Sequence, residues 1–176
     1  EPLAREKGLD FSLDISADVP GRIHADPNRI QQVAFNLLNN AIKFTDDGIV
    51  SVSISSVDLD DDFVTLEFSV TDTGIGMSHD KVERVFEAFE QVEVSTTRTY
   101  GGTGLGLAIS KEFVNMMGGV LEVSSQENVG SDFSFVLNLE FKEIEKQPDK
   151  VKYDSLNKDS RPDLKYLRVL VAEDNL

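Results

Sequence analysis

Apolar side chains at Ile30, Val33, Leu37, Ala41 and Phe44 recur at intervals of three and four, which predicts an amphipathic helix from Asp26 to Thr45 with one face on a core. Asp26-Pro27 is a strong start signal, a capping carboxylate followed by a first-turn proline. The period then falls to two. Val50, Val52 and Ile54 alternate with serines, and Val64, Leu66, Phe68 and Val70 with polar residues, predicting two half-buried antiparallel strands. The acidic run Asp58 to Asp62 between them reads as a solvated hairpin connection. Ser78 is placed to cap a short helix through about Phe86, and Thr103 to open another whose buried positions are Leu105, Ile109, Phe113 and Met116. Gly118-Gly119 ends that helix. Leu121 and Val123, then Phe133, Phe135, Leu137 and Leu139, supply two more strands. The expected fold is α/β (α+β), a two-layer sandwich with a mixed, mainly antiparallel sheet and helices on one face.

A chain of 176 residues has room for one packed domain and an appendage. The domain is expected over residues 1–140. Residues 141–166 mix both charges with Pro148 and Pro162 and little periodicity, which is a linker composition. Order is expected to resume at 167–176, where an apolar run ends in Glu173-Asp174. There is no cysteine and no apolar stretch of about 18 residues, so neither a disulfide framework nor a membrane span can be argued, and a reducing, cytoplasmic setting fits. The first residues lack the basic-then-apolar pattern of a secretory signal and read as a cut inside a longer protein. Residues 1–140 hold 9 Lys and Arg against 24 Asp and Glu. Such a body is unsuited to nucleic acid. Any anionic ligand would need local cations or exposed backbone N–H groups.

Four short segments carry candidate chemistry. In the first, Asn36, Asn40 and Lys43 fall at i, i+4 and i+7, so two carboxamides and one ammonium share a stripe beside the apolar face. Carboxamide oxygens suit a hard cation; the plainer alternative is a solvated polar face. In the second, Asp72 continues the strand register of Val64 to Val70, so its carboxylate points into the buried face. The amino group of adenine would satisfy it, whereas guanine would present a carbonyl oxygen; the alternative is an Asx turn closing on Gly74. Gly74 and Gly76 allow close backbone approach to a flat ring, with Ile75 and Met77 at its edges. In the third, Phe86 and Phe89 are more simply packing than chemistry. In the fourth, Gly101, Gly102, Gly104 and Gly106 lead into a helix whose N-terminal N–H groups attract phosphate. Leu107 stands where a Walker loop needs Lys and where a Rossmann fingerprint beginning at Gly102 needs Gly, so both are excluded. His24 and His79, the two histidines, lie in solvated contexts.

Taken in order, Asn36-Leu-Leu-Asn-Asn40-Ala-Ile-Lys43-Phe, Asp72-Thr-Gly-Ile-Gly76, Phe86-Glu-Ala-Phe89 and Gly101-Gly-Thr-Gly-Leu-Gly106-Leu resemble the ATP-binding catalytic domain of sensor histidine kinases, within the family shared with DNA gyrase, Hsp90 and MutL. The resemblance implies a Bergerat-type ATP-binding fold with ATP and Mg2+ as cofactors. It makes Asn40 the magnesium ligand with Asn36 assisting, and Lys43 a phosphate contact. Residues 90–103 become a lid carrying Thr97 and Arg98, and Gly102, Thr103, Gly104, Leu105, Gly106 and Leu107 join Asp72, Gly74, Ile75, Gly76 and Met77 around the nucleotide. Asn36, Lys43 and Arg98 are the implied catalytic set. The implied activity is transfer of the γ-phosphoryl group to a histidine on a separate dimerisation domain of the same protein, upstream of Glu1, in a two-component phosphorelay. The alternatives are a hydrolytic ATPase of the gyrase and Hsp90 type, or a nucleotide-binding regulatory module without transfer. Residues 167–176 resemble the first strand of a receiver domain. The expected parent is then a homodimeric hybrid kinase, cytoplasmic in this part, with membrane anchoring of the parent left open and no direct membrane contact by this segment. Asp132 departs from the family, which more usually has a small or hydroxyl residue there, and adds negative charge near the lid end of the sheet.

Overall fold

The structure, a computed structural model, describes residues 2–88 and 104–141. The longest amphipathic stretch forms α2 (Pro27–Phe44), preceded by α1 (Pro2–Lys7) and β1 (Asp10–Ile15) and followed by β2 (Ile49–Leu59), β3 (Phe63–Asp72), α3 (His79–Arg84), α4 (Gly106–Met116), β4 (Val120–Gln126) and β5 (Gly130–Glu140). Asp26 caps α2 as its sequence predicts, its carboxylate accepting the N–H groups of Asn28 and Arg29. The strands form one sheet in the order β1-β2-β3-β5-β4. All neighbours are antiparallel except β1 and β2, so the mixed character comes from β1 alone.

The register explains the core. Val70 pairs with Phe133, Phe68 with Phe135, Leu66 with Leu137 and Val64 with Leu139, which lays the predicted apolar alternations of β3 and β5 side by side on one face. Phe68 and Phe135 stack at 4.7 Å. Val33, Leu37, Ala41 and Ile42 of α2 are buried in the same cluster. Each large side chain so buried contributes roughly 1.5–3 kcal/mol. The two-layer sandwich is as expected.

Several local expectations change. No element was expected before Asp26, yet α1 and β1 are there. Their anchor is Lys7, whose ammonium donates to the carbonyls of Ile42 and Lys43 and pairs with Asp46, so it closes the C-terminal end of α2. β2 runs on to Leu59, with a register shift between Ser56 and Asp58, because the turn is made only by residues 60–62; the Asp60 carboxylate accepts the N–H groups of Asp62 and Phe63 there. Those bonds hold its carboxyl below the usual range. Ser78 occupies the cap position of α3 but makes no side-chain capping bond. Thr103 lies outside the described residues, and α4 starts at Gly106. Its buried residues are Ser110 and Val114, with Leu107, Phe113 and Met117 packed beside them, while Ile109 is exposed and Met116 is 76% exposed. The stripe therefore starts at Leu107 and passes through a serine. Of the four positions expected to be buried, Phe113 packs on the core and Leu105 is half-buried, while Ile109 and Met116 face outward.

Candidate functional site

Asp72 ends β3 with its side chain turned into the buried face and only 6% exposed. Burial pushes its carboxyl above the usual carboxylate range, and the charge of Asp132 adds to that, against the opposing N–H groups of Gly74 and Ser131. Its Oδ1 accepts the Gly74 N–H at 2.8 Å, so the Asx turn is present. The turn after it is built from backbone. A Cβ on Gly74 would overlap the Phe44 carbonyl, one on Gly76 the Gln126 carbonyl, and one on Gly130 the carbonyl of Asp72 itself. Gly76 also has φ +61°, and Gly130 φ +134°. The Ile75 N–H donates to Phe44 O at 3.2 Å and the Ile75 carbonyl accepts the Asn128 N–H at 2.7 Å, while the Met77 N–H donates to Ser125 Oγ at 2.8 Å. The turn is thus held between the end of α2 and the β4–β5 hairpin, with Ile75 exposed and Met77 buried.

Asn36, Asn40 and Lys43 lie on one side of α2, each half-buried. Asn36 reaches α4: its Nδ2 donates to Ser110 Oγ at 2.9 Å, and a Cβ on Gly106 would stand 2.5 Å from its Oδ1. The first polar motif and the glycine run are therefore in contact although 74 residues separate Asn36 from Ser110. The Lys43 ammonium lies 4.6 Å from the Phe44 ring, and burial lowers its pKa. Gly104 has φ +68° and leads through Leu105 into α4, so Gly104, Leu105, Gly106 and Leu107 stand at the helix start beside α2. Phe86 packs edge-on against Phe133 at 6.3 Å, in line with its packing role. Phe89, Thr97, Arg98, Gly101, Gly102 and Thr103 lie outside the described residues. His24 and His79 are both exposed, His79 as the first residue of α3 within 3.6 Å of Glu83.

Sequence reasoning missed four supports: Ser110, Ser125, Gly130 and Thr45, whose buried hydroxyl donates to Ala41 O at 2.8 Å. Ser110 had a signal, since it lies one turn after Gly106 and in step with Leu107, Val114 and Met117. Asp132 proves to be on the other face from Asp72: it accepts the hydroxyls of Ser69 at 2.6 Å and Thr71 at 3.1 Å, and the neighbour of Asp72 across the strands is Ser131. A cleft of about 400 Å³ lies between α3 and β4, and Met77, Ser125 and Gln126 line it as well as supporting the turn after Asp72.

The same architecture occurs in solved histidine kinases. Full-length ShkA in complex with AMPPNP superposes with a TM-score of 0.67 at 36% identity, covering 79% of this chain and 27% of that one. The mycobacterial sensor histidine kinase MprB gives a TM-score of 0.62 at 26% identity, over 78% of this chain and 87% of the other. The fold is that of a histidine kinase catalytic domain. Residues 25–141 match the model of the histidine kinase-, DNA gyrase B- and HSP90-like ATPases, and the chain belongs to that family. Among curated relatives, the signal transduction histidine-protein kinase BarA of Escherichia coli K12 is 43% identical over 137 residues, 78% of this chain and 15% of BarA. The autoinducer 2 sensor kinase/phosphatase LuxQ of Vibrio cholerae is 41% identical over 175 residues, 99% of this chain and 20% of LuxQ. The chain thus spans a fifth or less of the length of these relatives. Among the described residues, no helix is long and apolar enough to cross a membrane.

Proposed function

We propose that this chain binds Mg-ATP and presents the γ-phosphoryl group to a histidine on a separate dimerisation domain of the same protein. The observation that carries the reading is the join of Asn36 to Ser110 and Gly106, which brings the carboxamide stripe of α2 against the start of α4, while the turn after buried Asp72 is bonded to the C-terminal end of the same α2. Asp72 would accept from the adenine amino group, and the backbone of Gly74 and Gly76 would lie against the ring. Lys43 would meet phosphate, helped by Thr97, by Arg98 and by the N–H groups of Gly102 to Leu107, Thr103 included. The donor set fits magnesium, since two neutral carboxamides, Asn40 and Asn36, leave most of the coordination to phosphate oxygens and water. Bound there, the ion would neutralise polyphosphate charge in an otherwise acidic domain.

A hydrolytic ATPase would need a base to activate water. An asparagine is not one, and the Nδ2 of Asn36 is already committed as a donor to Ser110. That supports transfer over hydrolysis. The similarity of residues 167–176 to a receiver strand, and the match to two Dictyostelium discoideum proteins named hybrid signal transduction histidine kinases, support a hybrid parent in which residues 141–166 link this domain to a receiver. A cytoplasmic location follows from the same reading, as does a homodimeric parent.

The test is a phosphotransfer assay of this chain with a separately supplied dimerisation domain. Acid-labile phosphate on that domain's histidine is expected, with none on this chain alone. Free phosphate release without transfer would establish the hydrolase, and nucleotide binding without either would establish a regulatory module.

A further inference from the structure

We propose that Ser110 is a positioning residue that holds the Asn36 carboxamide in place, and through it sets the metal dependence of nucleotide binding. The inference rests on the Mg-ATP reading above. A carboxamide is nearly symmetric in shape but opposite in chemistry at its two ends, so an unheld asparagine offers an N–H2 donor or an oxygen acceptor with comparable ease. Here one hydrogen bond and one close approach hold the group. Ser110 Oγ accepts a hydrogen bond from Asn36 Nδ2 at 2.9 Å, while Oδ1 lies toward Gly106. Ser110 is 2% exposed, so water cannot readily replace it. It is also one of two buried residues on α4, on the face where a larger side chain would be expected if packing alone decided the position. The absence of a side chain at Gly106 completes the arrangement, since a Cβ there would press on the same oxygen. The oxygen left over is the group able to approach a cation or its bound water. Partners that orient a ligand in this way typically change metal affinity by about 10- to 100-fold when removed.

The experiment compares wild type, Ser110→Ala, Asn36→Ala and the double variant by nucleotide binding titrated with Mg2+, alongside NMR of the Asn36 side-chain amide. Ser110→Ala leaves the Asn36 amide without this partner and is expected to lower the unfolding temperature, so binding is read well below the unfolding transition of every variant. The expected result is that Ser110→Ala loses the hydrogen-bonded amide signal and needs about tenfold more Mg2+ for half-maximal ATP binding, while affinity for metal-free ATP stays the same. In the Asn36→Ala background, adding Ser110→Ala should change nothing further. An unchanged Mg2+ requirement in Ser110→Ala, or an equal rise whether or not Asn36 is present, would overturn the proposal and leave the functional reading standing. Wild-type binding that ignores Mg2+ would instead overturn both.

Discussion

The two ends of the site are built from different materials. At the Asp72 end, the turn is made by backbone pressed on backbone: Gly74 on Phe44, Gly76 on Gln126 and Gly130 on Asp72. Within the described residues, the Asn36 end is joined across two helices by a side-chain hydrogen bond. The first arrangement excludes Cβ atoms and has few ways to relax. The second can be adjusted one functional group at a time. Substitutions at the first should therefore act on folding, and at the second on chemistry.

Gly130→Val gives the largest expected effect. With φ +134° and the Asp72 carbonyl in the way of any Cβ, it should cost more than about 3 kcal/mol in urea unfolding. Gly118→Ala is the contrast: its φ of +77° is strained but nothing lies within 4 Å, so about 1 kcal/mol is expected. Equal costs at the two positions would break the comparison. Next in size, Asn40→Ala should lower Mg2+-dependent ATP affinity by about 100-fold with the unfolding curve unmoved, as calorimetric titration would reveal.

Asp72→Asn should act in both directions. Wild type is expected to prefer ATP to GTP by about tenfold or more, and the variant to lose that preference, measured by competition with a labelled nucleotide. In the absence of nucleotide, the variant should be more stable at neutral pH. Because burial raises the Asp72 carboxyl above its ordinary 3.8, the charged form penalises the native state; that penalty appears as pH rises from about the unfolded value and is complete above the folded one. A Tm gain of about 3 °C for Asp72→Asn at pH 7, shrinking as pH falls through that window, is the expected signature. A gain that stays constant down to pH 3 would mean that burial of charge is not the cause. Asp132→Asn should matter least. Its side chain is spent on Ser69 and Thr71 on the opposite face, so ATP affinity should shift by no more than about threefold in the same titration.

Much of this was legible because single strong signals coincided. The stripe from Val33 to Ala41 and the Asp26-Pro27 cap define α2, and the alternation from Val64 to Asp72 correctly predicts an inward carboxylate. What escaped depended on partners far along the chain. β1 has its own alternation at Phe11, Leu13 and Ile15, but Leu13 and Ile15 remain 59% and 51% exposed, so its place is set by pairing with β2 more than by burial. Part of the buried face of α4 escaped because a serine interrupts the apolar stripe of Leu107, Val114 and Met117, and the hydroxyl partner that explains it, Asn36, lies 74 residues away. Gly130 likewise looks like an ordinary hairpin glycine until the Asp72 backbone is laid against it.

The locked hairpin behind Asp72 also bears on inhibitor chemistry. A compound that copies only the purine would meet a surface whose shape exists beforehand and loses little entropy on contact. On the proposed reading, a compound that copies only the triphosphate would rest on side chains of α2 and α4, each of which a single substitution can remove. Fragment screens should accordingly return heteroaromatic amines first, seated against the Gly74 to Met77 turn.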